Sequence, residues 1–114
     1  MNLQNIIEHL GLKILTEPKD FSSTIPTSGY ASDLLSCVMA GAKKDGVWVT
    51  LQCHDNIVAV AALLDLTAVI ITEDAQPDPA TITRANSRDI TLLSTPQSSF
   101  TIIGQLWDMG LRGE

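Results

Sequence analysis

The stretch Val47-Trp-Val-Thr-Leu-Gln-Cys53, the run Asn56-Ile-Val-Ala-Val-Ala-Ala-Leu-Leu64 and the segment Ala68-Val-Ile-Ile-Thr72 decide the fold. The first is rich in β-branched and aromatic residues, the composition of a strand. The second is apolar nearly all round, so it reads as a helix packed on more than one side, opened by His54 or Asp55. The third is a continuous apolar run, the mark of a parallel strand buried on both faces. Strand, helix and strand in succession make a right-handed crossover between parallel strands.

The same alternation extends outward. Downstream, Pro79 lies in the first turn of a polar helix over Pro79–Arg88. Ile90–Ser94 is another buried strand. Ser98 or Ser99 caps an amphipathic helix that runs to about Met109 and stops at Gly110. Upstream, Asp45-Gly46 is a turn. Leu34, Leu35, Val38, Met39 and Ala42 recur at helical spacing behind a Ser32 cap, with Asp33 in the first turn and Lys43 and Lys44 at the end the dipole favours. Glu17–Thr27 is loop chemistry, with a short edge strand near Thr24–Ile25. Leu12–Thr16 is a short strand, and Leu3, Ile6, Ile7 and Leu10 line one face of a first helix that Gly11 ends. The order α-β-α-β-α-β-α-β-α predicts an α/β fold: one three-layer domain over residues 1–114, a mostly parallel sheet flanked by helices.

Composition fits that reading and excludes others. The chain has 114 residues, 45% of them hydrophobic and 18% charged, which rules out intrinsic disorder. Its net charge of −6, with 7 Lys and Arg, is unsuited to neutralising a nucleic-acid backbone. The longest apolar stretch, Ile57–Leu64, falls far short of the roughly 20 residues a membrane span needs, so no membrane partner is expected. Met1–Leu15 lacks the pattern of a signal peptide. Cys37 and Cys53 match no zinc or redox spacing and read as reduced residues of a cytoplasmic protein.

Catalytic motifs are missing. Gly41–Gly46 has the glycine spacing of a phosphate loop, but Val47 and Trp48 stand where Lys and Ser or Thr belong, and the segment runs from helix into strand. There is no dinucleotide fingerprint and no nucleophile elbow. His9 and His54 have no metal-ligand spacing. No catalytic residue, metal or cofactor is therefore expected.

What remains is the carboxyl edge of the parallel strands, where such sheets bind ligands. Parallel alignment brings Gln52, His54 and Asn56 after one strand together with Thr72 after the next and with Thr95 and Ser98 after the last. Glu73 and Asp74 border them, and Thr16 and Glu17 follow the first strand. These six residues are the candidate ligand-binding set. They can equally be ordinary capping and turn residues. Glu73 and Asp74 disfavour an anionic ligand at this rim.

Ser28-Gly-Tyr-Ala-Ser-Asp-Leu-Leu-Ser36, the run Thr50–Asp65, Ala68–Thr72 with its acidic loop, and Leu92–Thr95 leading into Ser98-Ser-Phe100 resemble the DRTGG domain family, over about Leu12 to Gly110. That family is similar to the N-terminal domain of HPr kinase/phosphorylase, an α/β fold without the kinase active site. Its bacterial members occur as free-standing chains, beside CBS domains in pyrophosphatases and beside phosphate acetyltransferase domains. The chain departs from the family at Ser28 and at Glu73-Asp74, where glycines are usual. The resemblance implies a non-catalytic regulatory or scaffolding domain acting with a partner metabolic or signalling enzyme. A small-molecule sensor, for instance of a nucleotide, is the second reading, and a kinase-like enzyme the third. A homodimer is also expected, because the apolar helix Asn56–Leu64 needs cover on several sides and Tyr30, Leu34 and Trp107 extend the apolar surface. Trp107, Met109 and Leu111 near the C-terminus read first as core packing and second as a subunit contact.

Overall fold

Asn2 and Asn5 start the first helix by bonding each other's backbone N–H, and Gly11 ends it in the left-handed conformation with φ of 64°. The computed structural model describes residues 1–113. In chain order the elements are α1 (Leu3–Leu10), β1 (Lys13–Ile14), a 3₁₀ turn at Phe21–Ser23, β2 (Gly29–Ala31), α2 (Leu35–Gly41), β3 (Val47–Thr50), α3 (Asn56–Leu63), β4 (Ala68–Ile71), α4 (Pro79–Ser87), β5 (Leu92–Ser94) and α5 (Ser99–Asp108).

The five strands form one sheet in the order β1-β5-β4-β3-β2. β2 to β5 are parallel neighbours in chain order, and β1 closes the far edge antiparallel to β5. Alternation along each strand sorts the core into two halves. Val47, Val49, Ala68, Ile70 and Leu93 pack with α1 and α5 on one face. Trp48, Val69, Ile71 and Leu92 pack with Val38 of α2, Ile57, Val58 and Ala61 of α3 and Ala85 of α4 on the other. The result is a three-layer α/β fold with a mostly parallel sheet. Sequential right-handed crossovers put α2, α3 and α4 on the same side, and α5 leaves β5 for the opposite one.

The helix-to-strand turns before β3, β4 and β5 each carry an aspartate with positive φ: Asp45 (64°), Asp65 (53°) and Asp89 (58°). Aspartate tolerates this region better than most residues. After two of them the chain folds back to the helix, with Leu66 N–H donating to Ala61 O (3.0 Å) and Ile90 N–H to Ala85 O (2.8 Å). That drops Leu66 and Ile90 into the core.

Several local expectations change. No strand forms at Thr24–Ile25; the outer strand is Gly29–Ala31, preceded by the 3₁₀ turn. Ser32 does not cap α2. Its hydroxyl accepts from Leu34 N–H (3.1 Å), and the helix starts at Leu35. β3 ends at Thr50 rather than Cys53, because Asp33 and Thr50 capture the next backbone N–H groups. Thr16 and Glu17 do not reach the carboxyl rim. The antiparallel β1 carries them to the opposite end of the sheet, where Thr16 Oγ1 accepts from Leu92 N–H and Glu17 N–H donates to Asn86 Oδ1. The apolar helix α3 is covered within the chain, lying between α2 and α4 with Ile57, Val58 and Ala61 fully buried. It therefore gives no reason for a dimer.

Candidate functional site at the strand-end rim

Three threonines mark the carboxyl ends of the central strands. Thr50 closes β3, Thr72 follows β4 and Thr95 follows β5. Thr72 N–H donates to Thr50 O (2.9 Å) and Thr95 N–H to Ile71 O (3.0 Å), so the ladder continues through them and all three are buried. Thr50 and Thr95 each accept from the N–H two residues on, of Gln52 (3.0 Å) and Gln97 (3.1 Å). This hydroxyl turn bends the chain out of the strand. The recurring Thr-x-Gln in Thr50-Leu-Gln52 and Thr95-Pro-Gln97 is its sequence trace.

The six candidate residues all lie on this rim, in separate groups. Gln52 reaches back to the loop after β2, its Nε2 donating to Asp33 O (3.2 Å). His54 is exposed, and its Nδ1 accepts from Asn56 N–H (3.1 Å), so it caps α3. Asn56 is the exposed first residue of that helix. Thr72 is fully buried, and its hydroxyl lies 2.5 Å from Ser99 Oγ. Thr95 is buried with its hydroxyl engaged by Gln97. Ser98 caps α5 by accepting from Thr101 N–H (3.2 Å).

Two acidic residues that sequence reasoning left outside the set organise the rim. Asp33 Oδ1 accepts from Thr50 Oγ1 (2.8 Å) and from Leu51 N–H (2.8 Å). Glu73 crosses between loops: its Oε2 accepts from Ser99 N–H (2.8 Å), while its own N–H donates to Gln97 O (2.9 Å). A carboxylate thus sits at the positive end of α5, where a bound anion would sit. Glu73 and Asp74 hold this path with φ of 60° and 59°, a conformation that glycine adopts without strain. Asp55 ties α3 to α4, accepting from Thr81 Oγ1 (2.6 Å) and lying 3.2 Å from Arg84. The starts of α3 and α5 are thus engaged by the chain's own side chains, through His54 and through Ser98 and Glu73, whereas α2 and α4 carry no side-chain cap. No group of three or more His, Cys, Asp or Glu among the described residues is placed to hold a metal ion. No helix among them is long and apolar enough to cross a membrane.

The elements form a three-layer α/β architecture with a mostly parallel sheet. Among solved structures, the chain is similar to the CBS and DRTGG domains of the regulatory region of Clostridium perfringens pyrophosphatase, solved with its activator diadenosine tetraphosphate: TM-score 0.72, 20% sequence identity, 90% of this chain covered. The match takes in 44% of that chain, less than half its length. No family model and no curated protein matches the sequence.

Proposed function

We propose that this chain is a non-catalytic regulatory or scaffolding domain, homodimeric and cytoplasmic, that acts on a partner metabolic or signalling enzyme. The observation that carries the reading is the likeness of the whole fold to a pyrophosphatase regulatory region. The rim supports it. The hydroxyls of Thr72 and Thr95 and the starts of α3 and α5 are engaged within the protein, which leaves these groups little freedom for turnover. The free thiols of Cys37 and Cys53 suit a reducing compartment.

The purified chain is expected to hydrolyse no ATP and to phosphorylate no protein above a buffer control. Turnover that disappears on substituting His54 or Ser98 would contradict the reading.

A second reading, a small-molecule sensor, is favoured by the dinucleotide activator of the structural relative and by the exposure of His54 and Asn56 on the same rim. Thermal unfolding in the presence of nucleotides separates the two. A ligand at 100 times its Kd adds about 2.7 kcal/mol to stability, whereas a pure scaffold shows no shift.

A further inference from the structure

We propose that α5 is the seam of the homodimer, packed antiparallel against α5 of a second copy; the inference deepens the homodimeric part of the reading above. Most helices of this fold bury their apolar residues, but α5 is apolar on two sides. Ile102 and Leu106 face the core. Phe100, Ile103 and Trp107 face outward, with 88%, 40% and 55% of their surface exposed. With Gly104 they fall within one arc of about 100° on the helix. A Cβ placed on Gly104 would have nothing within 4 Å, so this glycine is a gap in the outer stripe and makes no contact inside the subunit.

The stripe is complementary to itself. Reversed about its midpoint, Phe100 meets Trp107 and Ile103 meets Gly104, and each pairing occurs twice. A two-fold interface requires this reciprocity, in which residue i touches j and j touches i. The aromatic pair supplies ring contacts, and Ile103 supplies a knob for the hole at Gly104. No charged residue lies within the stripe itself, and Arg112 at its edge is already stacked on Trp107. Arg112 holds Trp107 in place, its guanidinium 4.0 Å above the ring, which lowers the entropy cost of docking.

The stripe adjoins an apolar cleft of about 180 Å³ lined by Tyr30, Val49, Leu106 and Leu111, which widens the surface available to the second copy. The two exposed rings offer roughly 300 Å² per subunit. With Ile103 and the cleft margin, the contact stays below the size of stable interfaces, so a weak, reversible dimer is expected. The other exposed large apolar residues, Met1, Ile25, Leu34, Met39, Leu51 and Leu63, lie on α2, on α3 and in loops, with no more than one on any helix outside α5.

Sedimentation velocity on the full chain tests the seam. The wild type is expected at twice the 12.3 kDa subunit mass at tens of micromolar. Gly104→Arg is expected at the subunit mass, with a melting temperature unchanged or raised, because the site is open and arginine is the better helix former. Phe100→Glu, at the most exposed position, is expected to dissociate likewise. A wild-type dimer that survives both substitutions overturns the seam and leaves the homodimer in place on another face. A wild type that stays monomeric overturns both, and leaves the regulatory reading to the turnover assay.

Discussion

Trp48→Ala is expected to cost roughly 3–5 kcal/mol of folding stability, the range for truncating a large aromatic in a packed core. Trp48 is completely buried at the centre of β3, against the layer formed by α2, α3 and α4. Its loss removes apolar contacts and leaves a cavity that a parallel sheet cannot close by sliding. It also removes the indole N–H that donates to Ser32 O (2.9 Å), the bond that holds the chain leaving β2. Against a typical total of about 5–15 kcal/mol, the loss is a large fraction of stability. Urea unfolding followed by circular dichroism checks it through a lower midpoint at unchanged slope. Trp48→Phe keeps most of the volume and is expected to cost less than half as much.

Asp33→Ala is expected to cost roughly 2 kcal/mol, from two hydrogen bonds of about 1 kcal/mol each to an exposed side chain. The Asp33 carboxylate receives both the Thr50 hydroxyl and the Leu51 N–H, so without it the ends of β2 and β3 lose their link across the rim. Thr50 is buried, and its hydroxyl would be left without that acceptor. Asp33→Asn keeps an oxygen at the same place and is expected to be close to neutral. Equal losses in the two variants would show that the charge matters and the geometry does not.

The elements legible in the sequence are those with strong, uninterrupted patterns. Ala68–Thr72 and Ile90–Ser94 announce themselves as buried strands, and the Leu3, Ile6, Ile7, Leu10 spacing announces α1. β2 was hidden because it is three residues long and begins at Gly29, where a side chain would come within 3.1 Å of Leu111. The direction of β1 was hidden because two residues carry no orientation signal. A clue lay in the loop after it: Glu17–Thr27 contains no crossover helix, and a parallel connection needs one. The rim was legible in outline, since parallel strands must end together. Its wiring was not, because the reach of Glu73 to Ser99 and of Asp33 to Thr50 joins loops distant in sequence. The outer stripe of α5 was masked by the inner one. Ser99-Phe-Thr-Ile-Ile-Gly-Gln-Leu-Trp-Asp108 is apolar on both sides, so its periodicity does not say which face is covered.

With the starts of α3 and α5 engaged by His54, Ser98 and Glu73, the protein is expected to act through its surfaces rather than by polyphosphate binding at these two strand ends. Amide NMR titration of ¹⁵N-labelled protein with diadenosine tetraphosphate, and separately with inorganic triphosphate, tests this most directly. Glu73 occupies the start of α5 and His54 that of α3, and the chain carries a net charge of −6. The amides of Asn56, Glu73 and Ser99 are therefore expected to stay unmoved through the titration. Saturable shifts at Asn56 and Ser99 that vanish in Ser98→Ala would contradict the account and make the rim a polyphosphate site.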